Sequence, residues 1–95
     1  MVMPEIKPTQ LLKSQEIIRS VLNEAVGVYI AEEPKKQDSW RETQMWRLKQ
    51  HLKHEIQEID RSITEDRFYH NCLDAINLLA MMAAKARMGK NTNAS

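Results

Sequence analysis

Turn formers and cysteine are scarce in this chain: ninety-five residues hold two glycines, three prolines and one cysteine. Without turn residues, and without runs of β-branched and aromatic residues, there is little material for hairpins, so an all-α fold is predicted. One cysteine excludes an internal disulfide. Cys72 lies in an apolar helical stretch and reads as a small core residue rather than a nucleophile. Charge of one sign is lacking too: the formal net charge is +1, without the basic excess of a dedicated nucleic-acid binder. No apolar run reaches the ~18 residues needed to span a bilayer, so no membrane partner is expected. Met1-Val2-Met3-Pro4 is followed at once by charge rather than by the apolar stretch of a signal peptide. The expected setting is cytoplasmic.

What the chain does have is helical periodicity. An arm over 1–8 precedes three predicted helices near 9–32, 40–62 and 65–88, which form a single domain over 9–88. Residues 89–95 read as a disordered tail. The first helix is expected to start on a Thr9 cap, to carry Leu11, Ile18, Leu22, Ala25 and Tyr29 on one stripe, and to stop at Pro34. Ser39-Trp40-Arg41-Glu42 matches a capping box for the second, whose stripe is Met45, Leu48, Leu52, Ile56, Ile59 and Ile63. Thr64, followed by Glu65 and Asp66, caps the third, and Gly89 ends it. A domain of this length hides only ~60–65% of its unfolded surface, so partner chains are expected. Leu78, Met81 and Met82 lie opposite the third helix's core stripe of Tyr69, Cys72, Leu73, Ile76, Leu79, Ala80 and Ala83. That second apolar face predicts a homodimer or a dimer of dimers.

The chemistry-bearing residues are acidic. On the second helix, Glu55 and Glu58 sit about 60° and 120° from the centre of the apolar stripe, one turn apart on the same side. Both then rim a helix–helix groove; an ordinary exposed ion-pairing role is the plainer account of such a pair. Asp74 follows on the third helix, amid apolar neighbours, where a buried carboxylate needs a cation, a donor or a metal. Carboxylate oxygens gathered this way suit Mg²⁺, which in turn engages phosphate. His51, His54, Glu55 and Glu58 also stand at i, i+3, i+4 and i+7, a spacing that can hold Zn²⁺ with His70; yet both histidines on the second helix swing away from the stripe.

With the Asp38-Ser39-Trp40 lead-in, Glu55-Ile56-Gln57-Glu58, Asn71-Cys72-Leu73-Asp74 and the run on through Asn77 to Met82, the stretch from Asp38 to Lys85 resembles the MazG-like all-α nucleoside triphosphate pyrophosphatases. The resemblance implies a helical bundle, three main helices per chain, completing a four-helix core by oligomerisation. It implies Mg²⁺ as cofactor, a nucleoside triphosphate as substrate, and cleavage to monophosphate and pyrophosphate that clears unwanted nucleotides. In that family a Glu-Glu-x-x-Glu run and a Glu-x-x-Asp run hold the metal. Glu55, Glu58 and Asp74 match three of these acids and would be the catalytic set. His54 stands where the first run begins with Glu, and Asn71 where the second does, leaving Asn71 as a neutral metal ligand. Asn77 matches an Asn that helps to recognise the nucleotide; an inter-helix hydrogen bond is its equal alternative. Arg67 and Lys85, on the face of Asp74, and Trp40, at a helix start, are candidates to contact phosphate and base. The rival expectation is a non-enzymatic helical assembly protein that kept the scaffold and lost part of the site.

Overall fold

The computed structural model describes the backbone of residues 7–36 and 38–92, and the side chains of 7–32 and 38–89. It is all-helical, with no strand among the described residues. Helix α1 spans Pro8–Lys36, a single 3-10 turn spans Ser39–Arg41, α2 spans Met45–Arg61 and α3 spans Glu65–Thr92. Most of the expected arm (1–6) and part of the expected tail (93–95) lie outside the described residues.

Each expected helix exists, and the ends show which local signals prevail. Helix α1 begins one residue before the Thr9 cap: Pro8 takes the first helical position, where its missing N–H costs nothing, and the Leu11 amide bonds the Lys7 carbonyl. It also runs past Pro34 to Lys36. Proline's fixed φ is itself a helical value, and in a last turn the lost N–H forfeits a bond without ending the helix. The capping box at Ser39 does not form. Asp38 sits in the left-handed region at φ 57°, the chain makes one 3-10 turn, and α2 starts only at Met45. The Thr43 hydroxyl and amide both donate to the Ser39 carbonyl, at 2.8 and 3.1 Å, closing a single turn that does not run on into α2. The Thr64 cap does form, its Oγ1 accepting from the Arg67 amide at 3.2 Å. Gly89 has no positive φ, and α3 carries on through it to Thr92.

Helices α2 and α3 form an antiparallel hairpin joined by three residues. The pairing is plain from the contacts: Asn71 near the start of α3 bonds the end of α2 at Glu58, while Lys85 near its end bonds Arg41 just before α2. Helix α1 lies across this hairpin by its second half only. Asn77 Nδ2 donates to the Ala25 carbonyl at 2.9 Å, and the Tyr69 hydroxyl donates to the Glu24 carboxylate. The core is small: Ala25, Leu48, Leu73 and Ala75 are buried.

Two expected faces are corrected. Leu79, Ala80 and Ala83, placed on the core stripe of the third helix, are exposed, while Leu78, Met81 and Met82, expected to be bare, are half-buried. The hairpin is rotated so that α3 turns Leu78 and Met81 toward a cavity against α1 and α2. The longest stretch of bare surface lies on α1, whose residues 8–20 are all exposed. The radius of gyration, 16.3 Å, exceeds the ~12 Å of a compact chain of this length, as a projecting half-helix requires.

Candidate functional site

Where the three helices meet, they enclose a cavity of about 530 Å³, within the size range of small-molecule sites. Helix α1 contributes Tyr29 and Glu32, the 3-10 turn Trp40, α2 His51 and Glu55, and α3 Asp74 and Asn77. The antiparallel pairing brings Glu55 and Asp74 together, since residues that rise along α3 fall along α2. Burial raises the Glu55 pKa above the ordinary carboxylate value, and the negative charge of Asp74 raises it further, against a lowering by His54. Burial of the carboxyl is the larger cause and the like charge of Asp74 the smaller.

The aromatic wall is tied down by hydrogen bonds. The Trp40 indole N–H donates to the Tyr29 hydroxyl at 2.8 Å, and that hydroxyl donates to Asp38 Oδ1 at 2.6 Å. Arg41 stacks on the Trp40 ring at 5.2 Å and pairs with Asp38 Oδ2 at 3.5 Å. The left-handed turn at Asp38 thus serves to place its carboxylate under Tyr29 and to turn Trp40 into the cavity.

Of the residues singled out from the sequence, Glu55, Asp74, Asn77 and Trp40 line this cavity, and Glu58, Asn71, Arg67 and Lys85 do not. Asp74 is exposed rather than buried, at the opening of the cavity, so the cation, donor or metal that burial would have demanded is not required. Glu58 lies one turn further along α2 and faces His54, 3.8 Å away. Asn71 serves the hairpin: its amide donates to the Glu58 carbonyl at 3.2 Å and to Ser62 Oγ at 2.9 Å, tying off the end of α2. Arg67 stands exposed in the first turn of α3, and Lys85 Nζ donates to the Arg41 carbonyl at 2.8 Å. Asn77 makes the inter-helix bond to Ala25 and still lines the cavity.

Sequence reading missed Tyr29 and Glu32, and set His51 aside. Tyr29 and Glu32 are one turn apart at the end of α1, and His51 and Glu55 one turn apart on α2; those spacings were the available signals. Among the described residues three carboxylates line the cavity and no lysine or arginine does. Among the described residues, no group of three or more His, Cys, Asp or Glu side chains is gathered tightly enough to form a coordination set by itself. No described helix is long and apolar enough to cross a membrane.

Compared with family models, with curated proteins and with solved structures, the chain matches none of them.

Proposed function

We propose that this cavity binds a nucleoside triphosphate together with Mg²⁺ and hydrolyses it to monophosphate and pyrophosphate, as the resemblance of residues 38–85 to MazG-like pyrophosphatases suggests. The observation that carries the reading is the charge of the lining: among the described residues it holds the carboxylates of Glu32, Glu55 and Asp74 and no lysine or arginine. A polyphosphate entering alone would meet mainly like charge. A divalent cation held by one or two carboxylates, and completed by phosphate oxygens, is the usual way to reconcile the two. Glu55 and Asp74, whose charges already press on each other, fit that demand.

Bound there, Mg²⁺ would neutralise the polyphosphate and make a water more acidic. The chain's own contributions are distinct. Glu55 and Asp74 would hold the cation. A carboxylate of this set not engaged by the cation would take the proton from the attacking water. The new P–O bond forms from that water to the α-phosphorus, the α–β bridging P–O bond breaks, and pyrophosphate leaves. Trp40, held by Tyr29, offers a flat face for the base, and Asn77 an amide edge.

Calorimetric titration with a slowly hydrolysed nucleotide analogue, with and without Mg²⁺, tests this. Binding should require the metal and be lost in Asp74→Asn and Glu55→Gln. Metal-independent binding, or binding unchanged in both variants, would refute it. A second reading, a non-enzymatic assembly protein on this scaffold, draws support from Asn71 and Glu58. Two of the four ligands that the resemblance implies are engaged elsewhere.

A further inference from the structure

A second cavity, of about 220 Å³, adjoins the first: Tyr29, Trp40, Asn77 and Met81 line both. Beyond that shared wall its described lining is Val26, Ala80 and Ala84, with no charged residue. The two chambers differ because α3 runs along both. Asp74 lines only the larger and Ala84 only the smaller, and they stand about 15 Å apart along the helix axis at 1.5 Å per residue. One end of the double chamber is acidic and the other apolar.

The wall between them is less polar than its composition suggests. The Trp40 indole N–H is taken by the Tyr29 hydroxyl, the Tyr29 hydrogen by Asp38, and an amide hydrogen of Asn77 by the Ala25 carbonyl. What these residues offer a ligand is mainly ring surface and the Met81 thioether, which attract apolar groups and cations alike. Trp40 already carries one cation in this way, the Arg41 guanidinium 5.2 Å from its ring centre.

We infer that the paired cavities form one binding site for an amphiphilic cation, a protonated primary amine joined to an apolar body. The ammonium would lie by Glu55 and Asp74, and the body would pass along Trp40 into the smaller cavity. Charge complementarity selects the head. Asp74 is close enough to Glu55 for its charge to be felt there, and among the described residues no lysine or arginine lines either cavity. Arg41 and Lys85, beside the 3-10 turn, are engaged elsewhere, with Asp38 at 3.5 Å and with the Arg41 carbonyl at 2.8 Å. An ammonium has three rotatable donors and accepts oxygens spread around it. A metal ion without phosphate oxygens to complete it needs a tight coordination set, which the described residues do not provide.

The smaller cavity selects the body, since apolar surface placed there leaves water. An anion of the same shape would meet the carboxylates and be refused. The inference is independent of the nucleotide reading. Both would use Glu55 and Asp74, so the amine and Mg²⁺ would exclude each other, but amine binding needs neither metal nor nucleotide.

Calorimetric titration of the full chain with four small molecules, in metal-free buffer, tests it. Phenylbutylamine should bind. Butylamine, which lacks the ring, and phenylbutanol, which lacks the charge, should each bind about tenfold more weakly or worse, and phenylbutyrate not at all. Asp74→Asn and Glu55→Gln should each weaken phenylbutylamine about tenfold. Glu58→Gln, an equal loss of charge on α2 outside both cavities, should leave it unchanged. Ala84→Leu, which fills the smaller cavity, should weaken phenylbutylamine and spare butylamine. The four molecules decide the matter on the natural chain even if a variant fails to fold. No binding of phenylbutylamine up to millimolar concentration overturns the inference. So does phenylbutyrate binding as well as the amine, an equal loss in Glu58→Gln, or indifference to Ala84→Leu.

Discussion

The two halves of α1 share a helix and differ in everything that holds a helix in place. From Val21 to Tyr29 it rests on α3, with Ala25 buried and its carbonyl bonded to Asn77. From Pro8 to Ser20 every residue is exposed, including Leu11, Leu12, Ile17 and Ile18. Composition does not separate the halves, since both are rich in aliphatic residues. What separates them is whether α3 is long enough, and angled, to lie underneath. Hydrophobic periodicity therefore marks a face that can be covered, and the topology decides where the cover stops.

The largest contrast should come from truncating one aliphatic side chain in each region. Leu73→Ala removes the largest fully buried side chain and should cost about 2–5 kcal/mol in denaturant unfolding. That is a severe loss for so small a core. Ile18→Ala, on the projecting half, should move the midpoint by less than ~0.5 kcal/mol at nanomolar concentration, and by visibly more at tens of micromolar if a second chain covers it. Equal losses at both sites in the dilute sample would erase the distinction.

At the closed end of the hairpin, Asn71→Glu should destabilise by about 1–3 kcal/mol. The new carboxylate would face the Glu58 carbonyl, to which the asparagine amide now donates. A variant as stable as the natural chain would show that this bond is dispensable and Asn71 free for other duties. A smaller effect of opposite sign is expected at Gly27, inside α1 with nothing within 4 Å of an added methyl. Gly27→Ala should raise stability by about 0.4–1 kcal/mol. If it lowers stability instead, something packs closely there, as an unusually tight helix pair would.

The subtlest test is the pH profile. Because the folded-state pKa of Glu55 is raised, its neutral form is favoured in the fold, so its contribution to stability is fully present below the unfolded pKa. That contribution fades as pH rises through the folded value. Glu55→Gln should therefore lift the melting temperature slightly at neutral pH and flatten its decline from the acid side. Asp74→Asn should flatten it less, since burial is the larger cause of the shift and Asp74 the second.

Much of the fold was legible in the sequence because stripes of three and four, and a threonine cap followed by acids, act locally. Thr64 capped α3 as read, and α2 ended where expected, at Ser62. The misread ends were those settled at long range. Ser39 failed as a cap because Trp40 answers to Tyr29, eleven residues away. Of the site, Glu55, Asp74, Asn77 and Trp40 were identified from the sequence and do converge. Tyr29 and Glu32 were not, since nothing in the second and third helices reveals which end of the first will meet them. Asp74 was misjudged as buried for a related reason: a helix apolar on both sides can border a cavity as well as a core.

The three-residue link between α2 and α3 carries a kinetic consequence. Closing so short a loop costs little chain entropy, and the contacts it brings together, such as Asn71 with Ser62 and Glu58, are close in sequence. The bond from Asn77 to Ala25 instead spans 52 residues. Local contacts form before distant ones, so the hairpin assembles first and α1 docks onto a finished surface. The cavity, whose walls come from both, is then the last part of the molecule to take shape and the first to be lost when α1 lifts away.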